Sequence, residues 1–153
     1  MIFLLFSVVI FILVTLRIPK KLERSELIAV AYFSTILGFV TDIILDLKYH
    51  LYGYFEPGVQ FPGFLPAIIL FPTAGVVFMN FFPFMKSLAK KLLYTFYWTL
   101  FCLGYEFLSV ESDYFYHNGW KYWQSALAYP FLLWLHLVHL KIFRWYTKKS
   151  SQT

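Results

Sequence analysis

The sequence has few charged residues for its length. Of its 153 residues only 14% are Asp, Glu, Lys or Arg, whereas 60% are hydrophobic and 24% are aromatic. An average soluble domain carries about 25% charged residues. The chain therefore has too few polar side chains to cover the surface of a soluble fold. The composition predicts a membrane protein whose surface is largely covered by lipid.

Cysteine and the familiar catalytic motifs are also scarce. Cys102 is the one cysteine, which excludes a disulfide within the chain and a CxxC metal pair. There is no Walker A motif, no GxSxG, no HExxH and no zinc-ligand spacing. These absences argue against the common NTPases, serine hydrolases and zinc enzymes, so no cofactor and no confident metal site are predicted. Enzymatic activity stays open but is not favoured.

The positive net charge does not indicate a nucleic-acid partner. The formal charge is +5, but the Lys and Arg residues form short clusters between apolar runs. Such clusters are typical of membrane orientation signals. We therefore expect membrane lipids as partners and no nucleic acid. A chain with so few helices would also need a homo-oligomer or a partner membrane protein if it transports a solute.

Five apolar segments predict an all-α fold, a polytopic transmembrane bundle of five helices in a single domain. The approximate ranges are 2–17, 26–47, 63–84, 92–111 and 120–143. A membrane helix needs about 20 apolar residues, so the first segment is short. It lacks the features of a cleaved signal peptide, and we interpret it as a retained helix. Pro72 lies inside the third segment and should kink it.

The distribution of Lys and Arg predicts the orientation of the bundle. Four basic residues lie in the connection between the first two segments, and three lie between the third and fourth. Four more lie in or beside a basic tail at 144–153. The second and fourth connections hold one each, Lys48 and Lys121. By the positive-inside rule the N-terminus is outside and the C-terminus, with its tail, is cytoplasmic.

The turn His-Asn-Gly-Trp at 117–120, followed by Trp-Gln-Ser and an apolar helix, resembles part of a family of small multi-spanning membrane proteins from Bacillus, Clostridium and related spore-formers. The stretches FVTDIILDL and LPAIILFPTAG resemble its second and third helices. The family has no known activity. The resemblance implies a five-helix protein of the bacterial cytoplasmic membrane, tied to sporulation or the envelope. The positions that it carries over are Asp42, Glu106, His117, Asn118, Gly119, Trp120, Ser125 and His136.

Ionisable side chains inside the predicted helices are the best candidates for a site. Such a group costs about 2.5–3.5 kcal/mol at the centre of a membrane helix, so each needs a partner or a function. Asp42 and Asp46 are spaced i, i+4 near the outer end of the second helix, and Glu106 lies in the outer part of the fourth. The candidate ligand- or ion-binding residues are Asp42, Asp46, Glu106, His117, Asn118, Trp120 and Lys121.

Several interpretations of this outer cluster stay open. The first is structural, with carboxylates that are solvated or paired with Lys48, Lys121 or tyrosine hydroxyls. The second is a site for a small cation or polar ligand, built from oxygen atoms. The third is an enzyme of the outer leaflet that acts on a lipid or lipid-linked substrate with Glu106 as acid or base. A transporter or channel subunit is a further alternative. We favour a non-enzymatic accessory or ligand-handling component.

His136 and His139 are secondary candidates near the inner leaflet. Their i, i+3 spacing places both on one helix face. Glu106 lies about 12–18 Å away along the membrane normal, at 1.5 Å per residue, which is too far for a shared ion. We interpret the two histidines as interfacial residues that bond to backbone or lipid phosphate rather than to a metal.

Aromatic residues are concentrated near the predicted outer surface. Amphipathic rings favour the membrane–water interface, so an aromatic belt is the first interpretation. A cage for a cationic ligand is the alternative. The residues concerned are Tyr49, Tyr52, Tyr54, Phe55, Tyr114, Phe115, Tyr116, Trp120, Tyr122 and Trp123.

Overall fold

The computed structural model describes residues 1–150, and their side chains through Lys148. The end of the predicted tail, residues 151–153, lies outside the described residues. The described part confirms the all-α prediction. Its helices are α1 (Ile2–Arg17), α2 (Arg24–Asp42), α3 (Phe71–Phe81), α4 (Leu88–Glu111) and α5 (Tyr122–Ser150). Two short strands, β1 (Tyr52–Tyr54) and β2 (Phe115–His117), complete the fold.

Three helical segments are long and apolar enough to cross a membrane. They are Arg24–Lys48, Phe61–Phe81 and Tyr122–Lys148. The helix α1 is apolar but has only 16 residues. The helix α4 has 24 residues and is rich in tyrosine, threonine and charged residues. Length and composition thus support membrane crossing for three of the five helices.

The largest differences from the predicted helix ranges are at the start of α4 and at the end of α5. The helix α4 begins at Leu88, before the predicted start at 92. The helix α5 continues to Ser150, through most of the predicted tail. Arg144 accounts for part of this extension, because its Nε donates a 2.6 Å hydrogen bond to Glu26 Oε1 at the start of α2. That contact holds the final turns of α5 against the bundle.

The third predicted segment is one helical run, Phe61–Phe81, whose geometry changes along its length. A 3₁₀ turn (Phe61–Gly63) and a π-helical turn (Pro66–Leu70) precede α3. Pro72 has no amide proton, so it cannot complete the backbone ladder at the start of α3. The Thr73 hydroxyl bonds to a carbonyl of that turn, with Oγ1 2.6 Å from Ile69 O. The predicted irregularity at Pro72 is therefore a π-helical turn next to the proline.

The helix α2 also changes geometry at its C-terminal end. After Asp42 the chain continues as a π-helical turn, Ile43–Lys48. Further back, α2 lies very close to α3, because a Cβ at Gly38 would overlap the Phe71 ring. Small residues permit such close packing between membrane helices.

The two loops beyond this end of the bundle form one structure, which we call the cap (residues 49–60 and 112–121). Within it β1 and β2 pair antiparallel, with Tyr52 opposite His117 and Tyr54 opposite Phe115. Asn118 joins the same two loops, since its backbone N donates to Leu51 O at 2.8 Å. The strand pairing fixes which cap side chains point at the helices.

The opposite end of the bundle is filled with side chains, and we call it the packed end. Its buried core includes Val30, Phe78, Met79 and Leu140. Asn80, which is buried there, connects this core to the α1–α2 loop: its Nδ2 donates to Pro19 O at 2.9 Å, and its Oδ1 accepts from a backbone amide of the same loop at 2.7 Å. The open space of the molecule lies towards the cap.

Candidate functional site

A cavity of about 240 Å³ lies among the helices beneath the cap. All five helices and the cap contribute to its walls, which are mostly aromatic and aliphatic. Two carboxylates, those of Asp42 and Glu106, line it. Among the described residues that line the cavity there is no lysine or arginine. The fixed charge of the lining is therefore negative when the carboxylates are ionised.

Glu106 on α4 is the most highly connected polar residue of the cavity. Its side chain is buried, with the residue 4% exposed. Its Oε1 lies 2.7 Å from His117 Nε2 and accepts a 2.8 Å bond from Ser125 Oγ. Its Oε2 accepts a 2.7 Å bond from the Tyr129 hydroxyl. An ionised carboxylate only accepts, so His117 Nε2 carries a proton in this contact. One carboxylate thus connects the cap, α4 and α5.

The turn at residues 117–120 contributes two groups to this network. His117 reaches Glu106 directly, and Trp120 acts through Ser125, because the indole Nε1 donates a 2.7 Å bond to Ser125 Oγ. Gly119 has a φ of 94°, which a residue with a Cβ rarely adopts. The glycine therefore allows the tight turn that directs both side chains at one carboxylate.

Asp42, the last residue of α2, faces the cap strand β1. The Tyr52 hydroxyl donates to Asp42 Oδ1 at 2.8 Å, and the Tyr54 hydroxyl lies 3.3 Å from Oδ2. Burial raises the pKa of both tyrosines, and the nearby Asp42 charge raises it further. Both phenols therefore keep their protons and act as donors. Since the bond to Oδ2 is long, that oxygen can still accept a strong hydrogen bond.

Four of the predicted site residues do not line the cavity: His117, which bonds to Glu106 from the cap, and Asp46, Asn118 and Lys121. Asp46 is half-buried on the π-helical turn. Asn118 is exposed, and its Nδ2 donates to His50 O within the cap. Lys121 is exposed at the start of α5, where its backbone N donates to Gln124 Oε1 at 2.7 Å. These residues shape the cap and the helix end rather than the cavity.

The described residues contain no group of three or more His, Cys, Asp or Glu that could hold a metal ion. Calcium takes six to eight oxygen ligands, and magnesium takes six. The interpretation of the outer cluster as a site for a bare divalent cation therefore has no support in the geometry. An organic ligand needs fewer charged contacts and remains compatible with the lining.

The two histidines of α5 have different surroundings. His136 is buried and lines the cavity, so it differs from the interfacial residue that we expected. Its Nδ1 lies 2.9 Å from Leu132 O, and its Nε2 lies 2.8 Å from Ser34 Oγ on α2. His139 does not line the cavity, and its ring stacks on Phe33 with centroids 4.2 Å apart. Of the two, only His136 can meet a bound ligand.

The predicted aromatic belt divides into exposed and buried residues. Tyr49 and Trp123 are exposed, Trp123 by 64%, as a belt requires. Tyr52 and Tyr114 are instead buried, Tyr52 with 7% exposed, and Trp120 packs edge-on against Tyr52 with centroids 5.9 Å apart. The belt interpretation is thus wrong for these cap aromatics, which line the cavity.

Tyr129 and Ser34 are functional candidates that the sequence reasoning missed. Tyr129 donates to Glu106, and Ser34 bonds to His136. A signal for Tyr129 exists, because Ser125, Tyr129 and His136 follow one another at i, i+4 and i+11 and so share one face of α5. Polar residues in such a stripe mark the face of an apolar helix that turns inward.

Comparison of the chain with protein-family models, curated proteins and solved structures finds no match. These comparisons give no support to the resemblance to membrane proteins of spore-formers, which stays a prediction. The function has to be argued from the cavity itself.

Proposed function

We propose that this chain is a membrane protein that binds a small amphiphilic cation in the cavity beneath the cap. In this role it is a ligand-handling component rather than an enzyme. The observation that carries the proposal is that Asp42 and Glu106 line one largely apolar cavity whose described lining residues include no lysine or arginine.

The charge of the lining favours a cationic ligand. An ionised carboxylate in apolar surroundings is costly unless a charge or several hydrogen bonds compensate it. Glu106 has three hydrogen-bond partners. Asp42 has two, Tyr52 and Tyr54, and its Oδ2 accepts only a long hydrogen bond. A ligand ammonium can donate to Asp42 Oδ2, and the faces of Tyr52 and Trp120 add cation–π attraction.

The size of the cavity limits the ligand to a small molecule. A cavity of about 150 Å³ lined by apolar side chains holds one benzene molecule. The 240 Å³ available here suits one ring with a short amine chain, or an aliphatic amine of similar bulk. The aromatic and aliphatic walls would hold the apolar part of such a ligand.

The arrangement of Glu106 supports binding over catalysis. A general base needs a lone pair within reach of the proton that it abstracts. Both Glu106 oxygens already accept hydrogen bonds, from His117, Ser125 and Tyr129. Three of the roughly four lone-pair sites of the carboxylate are thus occupied, which leaves about one for proton abstraction, whereas binding at Asp42 uses none of them.

We further propose that all five helices cross a bacterial cytoplasmic membrane, with the N-terminus and the cap outside and the C-terminus inside. The helix α4 would span about 36 Å at 1.5 Å per residue, enough for a hydrocarbon core of about 30 Å. Large apolar side chains are exposed along it, among them Leu92, Phe96 and Leu100. Membrane lipids, and a homo-oligomer or a partner membrane protein, would cover these surfaces.

A ligand series that differs only in charge tests the proposal. Phenethylamine, 2-phenylethanol and phenylacetate share one ring and present a cation, a neutral hydroxyl and an anion. We expect the amine to raise the melting temperature of the detergent-purified protein most, and the acid not at all. At 100 times its Kd the amine should stabilise the fold by about 2.7 kcal/mol.

Two substitutions and two controls connect that effect to the cavity. Asp42→Asn should weaken amine binding about tenfold or more, since a hydrogen bond to a charged group contributes about 1.5–3 kcal/mol. Glu106→Gln removes the other negative charge of the lining and should weaken binding through the lost charge attraction. Asp46→Asn and Glu111→Gln change carboxylates outside the lining and should bind the amine like the unaltered protein. Equal binding of the amine and the acid, or equal losses in the controls, would refute the proposal.

A further inference from the structure

The cavity reaches beyond the two carboxylates to a histidine. His136 lies seven positions after Tyr129 on α5, and both line the cavity. That spacing is about 10 Å along the helix at 1.5 Å per residue. Since Tyr129 bonds to Glu106, His136 stands about two helical turns deeper in the bundle than the carboxylate end.

The hydrogen bonds of His136 define where its protons can be. Its Nδ1 faces Leu132 O at 2.9 Å, and a carbonyl only accepts, so Nδ1 carries a proton. Its Nε2 faces Ser34 Oγ at 2.8 Å. The same Ser34 Oγ lies 2.8 Å from Val30 O, so this hydroxyl has two acceptors within reach.

Both charge states of His136 are satisfied by the same atoms. In the neutral ring, Nε2 accepts the hydroxyl proton of Ser34. In the protonated ring, Nε2–H donates to Ser34 Oγ, and the hydroxyl rotates to donate to Val30 O. Neither state leaves a buried donor without an acceptor, so a proton can bind with only the rotation of one hydroxyl.

The helix α3 packs closely against His136 and Ser34. A Cβ at Gly75 would lie 3.2 Å from His136 Nε2 and would overlap the Ser34 hydroxyl. Glycine therefore provides the space in which the serine hydroxyl and the imidazole meet. Any larger side chain would displace one of them.

The groups that face His136 from the surrounding elements are carboxylates, phenols, a thiol and one further histidine. Among the described residues, α1 and α3 contribute no titratable side chain to the lining, and no element contributes a lysine or an arginine. His139 adjoins His136 on α5 across Phe33. The titratable groups of the lining are Asp42, Tyr52, Tyr54, Cys102, Tyr105, Glu106, Tyr114 and Tyr129.

We propose that His136 is a proton-binding site of the cavity, and that a proton on His136 and a cationic ligand at the carboxylates each weaken the binding of the other. This inference rests on the proposed function. When the cation binds, the imidazolium gives its Nε2 proton to solvent and becomes neutral. Two unit charges about 10 Å apart at an effective dielectric constant of about 20 repel enough to change affinity about ten- to twentyfold.

Calorimetry with phenethylamine measures the coupling. Titrations in two buffers of different ionisation enthalpy count the protons released on binding. We expect the unaltered protein to release more protons than His136→Gln, and its affinity to fall about ten- to twentyfold more at acid pH than that of the variant. The control His139→Gln changes a histidine outside the lining and should release protons like the unaltered protein. Equal proton release from His136→Gln and the unaltered protein overturns the proposal.

A measurement without ligand separates this proposal from the proposed function. Nitrogen-15 NMR of labelled histidine reports the protonation of each ring, and His50→Gln, His117→Gln and His139→Gln identify the His136 signal by elimination. We expect that signal to change with pH, from the protonated ring at acid pH to the neutral ring at higher pH. A ring that stays neutral throughout overturns the proton site even if the amine binds, and even if His136→Gln does not fold. Failure of the amine to bind while His136 titrates contradicts the proposed function instead.

Discussion

Each end of the bundle buries one glutamate, and the two carboxylates have different partners. At the packed end, Glu26 pairs with Arg144, whose Nε lies 2.6 Å from Oε1. At the cap end, Glu106 is held by a histidine, a serine and a tyrosine. Arginine is always charged, so Glu26 has a permanent partner. Glu106 has mainly neutral donors, so its surroundings leave negative charge for a ligand to meet.

The same division separates packing from open space. Phe78, Met79 and Leu140 fill the packed end, whereas the cavity occupies the cap end. Close packing fixes one arrangement of side chains, and a cavity leaves contacts unmade. The packed end is therefore suited to holding the helices together, and the cap end to binding.

The variant with the largest expected loss of stability is a truncation in the packed end, and it tests this division. Leu140→Ala removes a side chain that is 1% exposed and should cost about 2–5 kcal/mol of unfolding free energy. Leu133→Ala truncates a leucine of the same helix that already lines the cavity, so it enlarges an existing space. We expect a clearly smaller cost for Leu133→Ala, measured by denaturation of both variants in the same detergent.

A comparison of these two leucines is decisive because they lie seven positions apart on α5. They therefore share a helix face, but Leu140 is fully buried in the packed end, whereas Leu133 is half-buried between that core and the cavity. Equal losses of stability would mean that the cap end is as tightly packed as the other end, and the division would fail.

The partners of the two glutamates give the next largest effect. Tyr129→Phe removes one donor to buried Glu106 and should cost about 1.5–3 kcal/mol of unfolding free energy. Arg144→Met keeps the side-chain stem but removes the charge that pairs with Glu26. The Arg144 side chain is 38% exposed, so its ion pair is screened by solvent and should contribute about 1 kcal/mol or less.

Salt distinguishes the two contributions further. Added salt screens an exposed ion pair but hardly affects a buried hydrogen bond. The difference between Arg144→Met and the unaltered protein should therefore shrink at high salt in detergent melting curves, while that of Tyr129→Phe stays constant. The opposite dependence would show that Glu106, not Glu26, relies on exposed charge. Tyr97→Phe, at an exposed position on α4, serves as the control for loss of a hydroxyl.

The helices could be predicted from the sequence because long apolar runs are local signals. The cap could not, since β1 and β2 have three residues each and pair across α3 and α4. In the sequence, the two loops of the cap are therefore two separate aromatic segments. For the same reason Tyr52 and Trp120 were assigned to a belt, although their contact depends on that distant pairing.

The inward faces of the helices were partly predictable from polar stripes. Thr95, Thr99, Glu106 and Ser109 are all buried and follow one face of α4 at steps of three, four and seven. Such a stripe tells which face turns inward. It does not tell which partner it meets, because that depends on the rotation and depth of each neighbouring helix. Asp42 and Glu106 could be nominated from the sequence, and tyrosine hydroxyls were among their expected partners, but the particular tyrosines could not be assigned.

A further predicted effect concerns the backbone of the cap, and two glycines isolate it. Nothing lies within 4 Å of a Cβ added at Gly119 or at Gly104, so neither substitution meets a steric obstacle. Gly119 has a φ of 94°, whereas Gly104 is inside α4. Gly119→Ala should therefore destabilise the fold by about 1 kcal/mol or more, and Gly104→Ala should stabilise it by up to about 1 kcal/mol.

The same pair of variants reports on the site. Strain at Gly119 acts on the turn that directs His117 and Trp120 at the Glu106 network, so Gly119→Ala should also weaken phenethylamine binding. Gly104→Ala leaves that turn unchanged and should bind the amine normally. If both variants melt and bind alike, the conformation of the 117–120 turn does not control ligand binding in the cavity.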